Sequence, residues 1–180
     1  MSITGNPRGD SIQARYAWAL EQHRLYGARL RQDDTVDRLL AELRARVAAS
    51  RRSMIAAGLV EDCRICEEQE GGSCCGRGME SHYDGVLLLV NLMLGAAIES
   101  EWRDQESCLF LGPEGCRLPA RDHICVNYLC AKLGERLSAS AVAEMRSCQG
   151  RELDTLFRLT DYLTTLLPKL HDDCGSEERS

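Results

Sequence analysis

Cysteine is the residue that carries chemistry in this chain. Eight of its ten cysteines fall within one 68-residue stretch: Cys63, Cys66, Cys74, Cys75, Cys108, Cys116, Cys125 and Cys130. The stretch opens with CRICEEQEGGSCC, passes through an apolar segment, and closes with CLFLGPEGCRLPARDHICVNYLC. Thiols gathered this way can form disulfides, exchange electrons as dithiols, or bind a metal as thiolates.

The spacing favours metal. Cys63-x2-Cys66 is a short chelate, with two intervening residues that let both sulfurs turn toward one ion. The same spacing serves thioredoxin-like redox motifs, but those need a strand–helix context that this sequence lacks. Cys74 and Cys75 are adjacent, and on extended backbone their side chains point opposite ways. Either they serve two subsites, or one ligates while the other packs. Eight thiolates suffice for two four-coordinate sites, or for one site with neighbouring thiols around it. Soft sulfur donors select zinc, iron–sulfur clusters or copper(I). Paired zinc knuckles repeat the C-x2-C spacing, which occurs here once. Iron–sulfur clusters combine a tight group with a distant cysteine. Spacing therefore favours an iron–sulfur cluster over zinc.

Composition bounds the setting. The chain has 180 residues, 44% of them hydrophobic and 28% charged, with only four prolines. That suits one domain with a proper core. A net charge of −6 argues against nucleic acid or an anionic membrane as partner. The opening MSITGNPRGDS has no apolar core of a signal peptide. The longest apolar run, Val86 to Ile98, is interrupted once by Asn91 and falls short of the ~20 residues that span a bilayer. A cytoplasmic protein with reduced thiols is the expectation, and it disfavours a disulfide framework.

Helices must position these thiols. Residues 1–10 read as a disordered leader. Ile12, Tyr16, Ala19, Leu20 and Leu25 predict a helix from Ser11 to about Tyr26, which Gly27 ends or interrupts. Asp34 is the expected cap of a second helix. Its apolar residues Val36, Leu39, Leu40, Leu43, Val47, Met54 and Ile55 recur at helical spacing as far as Gly58. Asp84 or Ser81 caps an apolar helix over 85–99, buried on most sides and central to the packing. Gly112-Pro113-Glu114-Gly115 is a turn. Two further helices are expected, Ser138–Ser147 and Arg151–Leu167. The second shows Leu153, Leu156, Phe157, Leu163 and Leu167 on one face and is bounded by Pro168. The organisation expected is an N-terminal helical segment (1–60), a cysteine region (61–131), C-terminal helices (132–171) and a polar tail (172–180).

The pattern C-x2-C…CC, then CLFLGPEGC, an Arg, and C-x2-Y-x-C resembles the YkgJ family of cysteine-cluster proteins (the CxxCxxCC type), which have a zinc- or iron-chelating domain. The resemblance covers about residues 61–131. It implies metal chelation by the eight cysteines from Cys63 to Cys130, and it matches Arg121 to the family's arginine and Tyr128 to its tyrosine. The family includes flagellin lysine methylases with an iron–sulfur centre. This chain departs from the pattern in four ways. Asp122 and Leu129 stand where the family has prolines, the Cys116–Cys125 interval is one residue shorter, and the gap before Cys74 is longer.

The fold expected is mainly α: a single domain whose helices flank a loop-rich cysteine region around a buried central helix. The function expected is metal binding, as an iron–sulfur cluster or zinc, in a structural, electron-transfer or metal-handling role. The rivals are an iron–sulfur-dependent enzyme of the methylase kind and a thiol redox protein. No G-x-G-x-x-G after a strand supports a methyl-donor site. Arg121 is a candidate donor of hydrogen bonds to sulfur, and Tyr128 a residue packing beside the site. His82 and His123 are candidate nitrogen ligands that read more simply as surface histidines. Cys148 and Cys174 read as spare thiols.

Overall fold

Five of the helices begin at a side chain that accepts from a free first-turn amide: Ser11, Asp33, Asp84, Asp122 and Ser138. The computed structural model describes residues 10–69, 74–98, 102–103, 105–113 and 115–177, apart from the side chains of 67 and 174–177. Helix α1 (Ile12–Gln32) starts at Ser11, whose hydroxyl accepts from the Ala14 amide at 3.2 Å. It runs through Gly27, which lies buried against Tyr26 and Leu30 in the same stripe. Tertiary burial keeps this glycine helical, although its intrinsic preference opposes that. Helix α2 (Asp34–Ala56) is capped by Asp33, one residue earlier than expected. Its carboxylate accepts from Thr35 and Val36 at 3.0 Å each. The predicted face is buried from Val36 to Val47, but Ile55 at its end is exposed.

Gly58, at φ 78°, turns the chain directly into helix α3 (Leu59–Gln69). The first two cysteines of the cluster therefore sit on a helix, and α3 runs across the expected boundary at residue 60. A short 3-10 turn (Met79–His82) leads into α4 (Gly85–Met93), which Asp84 caps through the Leu87 amide at 2.8 Å. Every residue of α4 is buried. It packs against α1 and α7, the place expected of the central helix. The helix stops at Met93 rather than 99, because Gly95 takes φ 90°.

Strands β1 (Leu111–Gly112) and β2 (Gly115–Cys116) form an antiparallel hairpin around the expected turn, pairing Leu111 with Cys116. Helix α5 (His123–Asn127) follows an Asp122 cap, and α6 (Ala131–Arg136) begins at Cys130. Helix α7 is one helix, Ala139–Glu177, in place of the two expected, and it passes through Pro168 into the segment read as a tail. A proline inside a helix costs about 3 kcal/mol. Here an unbroken buried stripe of Met145, Gln149, Glu152, Leu156, Leu159, Leu163, Leu167 and Leu170 holds the helix on both sides of it. Phe157, expected on that face, is exposed.

The molecule is thus mainly α in one domain, with α2 packed on α7 and α1 packed on α4. A small second apolar cluster, Leu59, Leu133 and Met145, joins α3, α6 and the start of α7. Of the leader expected over 1–10, residues 1–9 lie outside the described residues, as do Gly71–Ser73.

Candidate metal centre

The cysteine region is held by backbone before any metal is considered. Cys75 accepts the Cys108 amide through its carbonyl at 2.7 Å, and Gly76 bridges Ser107 in antiparallel fashion. The Phe110 carbonyl takes the Arg117 amide at 2.9 Å, which closes the hairpin that carries Cys116. The double-cysteine segment and the hairpin are thereby locked together.

The segment before α5 is fixed by Asn91, the residue that interrupts the apolar run. Its side-chain amide exchanges two 2.9 Å bonds with the backbone of Ala120, taking the N–H and donating to the C=O. It also donates to the Leu87 carbonyl at 2.9 Å. The central helix thus grips the chain five residues before Cys125. Tyr83 does the same from the 3-10 side. Its buried hydroxyl accepts the Asp122 amide at 3.2 Å and reaches the Cys125 sulfur at 4.0 Å. Arg15 of α1 holds the Tyr83 carbonyl from below at 3.0 Å.

The thiols fall into two sets. Cys108 belongs to the main core, and Cys75, Cys116 and Cys125 pack against it. Cys130 packs instead against the second apolar cluster. Cys63 and Cys66 stand one helical turn apart on α3, which Arg136 ties to α6 through an ion pair with Asp62 and a 3.1 Å bond to the Ala57 carbonyl. Cys63 and Cys74 are exposed, Cys108 is buried, and the other five are half-buried.

Electrostatic neighbours group the thiols along the same line, with one crossing from Cys75 to Cys74 and Cys63. Burial raises the Cys63 thiol, and Cys74, Cys130 and Cys66 add to the rise. Burial also raises Cys74, again with Cys130 and Cys66, while the Tyr128 hydroxyl opposes it through a hydrogen bond. Burial pushes Cys75 up to about 12, followed by Cys116 and Cys125 and then by Cys74 and Cys63. Cys108 also rises to about 12 through burial, with Glu80, Cys116 and Cys75 beside it. Cys125 is raised by burial and by Cys116 and Asp122, against the Tyr83 hydroxyl and the Arg121 guanidinium. One set is therefore Cys63, Cys66, Cys74 and Cys130, and the other is Cys75, Cys108, Cys116 and Cys125. The two adjoin at the Cys74–Cys75 peptide bond.

None of the nine cysteines with described side chains forms a disulfide. Among the described residues, no three His, Cys, Asp or Glu side chains converge closely enough to hold an ion as they stand. The thiols are grouped but not drawn in, and ligation requires rotation about their single χ1 torsions. The all-sulfur donor set fits zinc, copper(I) or an iron–sulfur cluster, and it does not suit magnesium or calcium.

The remaining candidates divide. Tyr128 is exposed beside Cys74. Arg121 faces Cys125 and places one guanidinium nitrogen 3.3 Å from the Met54 sulfur. Behind it lies Glu152, fully buried on α7. Burial holds that carboxyl above the usual carboxylate range, against Ser50, Arg121 and Arg51. His82 and His123 are both exposed and line a cleft of about 470 Å³ with Asp84, Asp161 and Phe157. His123 Nδ1 is 3.3 Å from the Asp122 carboxylate. Cys148 lies on α7 beside Arg151, and the Cys174 side chain is outside those described. Sequence reasoning missed Tyr83, Arg15 and Glu152, and passed over Asn91 as an interruption. Only Asn91 carried a signal, as the lone amide in an apolar helix. Compared with family models, curated proteins and solved structures, the chain shows no match.

Proposed function

We propose that this chain is a metal-binding cysteine-cluster protein whose thiolates chelate an iron–sulfur cluster, by preference, or zinc. One observation carries the reading. The fold brings eight cysteines into one region, from α3, the double-cysteine segment, the segment before β1, the hairpin, α5 and the cap of α6. Burial and neighbouring sulfurs hold these thiols protonated while metal-free, and a soft cation would stabilise the thiolates in their place. The resemblance to YkgJ-type proteins points the same way.

Arg121 would offset thiolate charge at Cys125, and Tyr128 would bond sulfur at Cys74. A cytoplasmic location, where thiols stay reduced, suits such a site. No helix among the described residues is long and apolar enough to cross a membrane. The thiol redox reading is weaker, because a reactive thiol needs a lowered pKa and burial moves Cys75 and Cys108 the opposite way. The roles that fit are electron transfer and metal handling.

The test is the metal itself. Protein made without oxygen, with iron and sulfide supplied, is expected to be brown, with broad visible absorption that bleaches in air. Colourless protein holding stoichiometric zinc and no acid-labile sulfide would replace iron–sulfur by zinc, since zinc has a filled d shell. Folded protein with neither metal and all ten thiols free would end the proposal.

A further inference from the structure

We propose that the eight thiols form two separate metal sites of unequal access. The inner site is Cys75, Cys108, Cys116 and Cys125, built into the main core. The outer site is Cys63, Cys66, Cys74 and Cys130, open to exchange of a soft cation with solution. This rests on the metal-binding reading and adds its division.

Three observations carry the division. First, the neighbours Cys74 and Cys75 part company. Cys75 packs on the main core and its carbonyl is bonded to Cys108, while Cys74 is exposed. One sulfur packs inward and its neighbour faces solvent, so the two thiols do not serve one ion together. Second, the two sets rest on different apolar clusters, the inner on the main core and the outer, through Cys130 and α3, on Leu59, Leu133 and Met145. Third, each set has its own phenol with a different exposure. Tyr83 is 1% exposed beside Cys125, and Tyr128 is 58% exposed beside Cys74.

The difference in access sets the chemistry. Release of a thiolate-bound ion proceeds by protonation or by attack of a competing ligand on an accessible sulfur. The outer set presents two exposed thiols on a surface helix and a surface segment. The inner set presents none, and its backbone is pinned by Asn91, Tyr83 and the hairpin. The outer site is therefore the place where metal enters or leaves, and the inner site is a structural one.

The experiment uses the full chain loaded with zinc alone. Bound zinc is counted, and its release to excess chromogenic chelator is followed in time. Two zinc ions per chain are expected, leaving in two phases of equal amplitude with rates at least tenfold apart. Cys66→Ser, in the outer set, should lose the fast equivalent and keep the slow one. Cys116→Ser should lose the slow one, and Cys148→Ser should change neither. Should Cys116→Ser fail to fold, the Cys66→Ser result decides. Retention of one slowly released zinc supports the division, and loss of both overturns it. One zinc per chain, or a single release phase, also overturns the division while metal binding stands. A chain that binds neither zinc nor iron overturns both.

Discussion

Glu152 is a buried carboxyl outside the thiol cluster. It is fully buried, and burial raises its carboxyl above the ordinary value of 4.5 despite Ser50 and Arg51 on α2 and Arg121 before α5. A group whose pKa rises on folding binds its proton more tightly in the native state. The stability it lends is complete below about 4.5 and is lost as pH climbs through the raised value. Glu152→Gln should therefore flatten the fall in melting temperature from pH 4.5 toward neutrality and melt higher than the parent at the neutral end. An unchanged slope would show that Arg121 neutralises the carboxylate after all. Tyr83 makes a second prediction. Its hydroxyl is the partner of the buried Asp122 amide. Tyr83→Phe should cost about 1–2 kcal/mol in denaturant unfolding, the penalty of leaving one such donor unpaired.

At the scale of elements, α4 does two jobs. Its apolar surface fills the space between α1 and α7, and its one amide positions the segment that leads to Cys125. Asn91→Leu keeps the volume but strands the N–H and C=O of Ala120, which is itself fully buried. The expected loss is about 2–4 kcal/mol, read as a lower denaturant midpoint. Leu89 faces the core with no exposure. Leu89→Asp places an unpaired charge there and should leave the chain unfolded or insoluble. A soluble monomer with full metal content would show that α4 is not the central packing element.

For the molecule as a whole, metal and fold should be linked. The cysteines come from several separate elements that only the fold brings together, so the unfolded chain offers no comparable site. A ligand that binds only the native state, at a hundredfold excess over its Kd, adds about 2.7 kcal/mol. For a chain of this size that is a rise of roughly 5–10 °C in melting temperature. Stripping the metal with a chelator should lower the melting temperature by that order, and restoring it should recover the loss. Equal melting with and without metal would separate the cluster from the fold.

The sequence by itself determined the helical class, the buried character of α4, the start of each long helix within a residue or so, and the confinement of eight cysteines to one stretch. These are short-range properties. Periodicity, caps and turns are written in neighbouring residues and need no distant partner. The tertiary structure alone decided which thiols become neighbours. Cys63 and Cys66 meet Cys130 because α3 docks on α6, and Cys75 meets Cys116 because its segment bonds the strand side. It also decided that α7 runs through Pro168, where the buried Leu163, Leu167 and Leu170 outweigh one lost hydrogen bond. His82 and His123, each near a cysteine in sequence, were carried to a cleft lined with carboxylates. Sequence distance says how far a side chain can reach, and packing of the helices says what it meets.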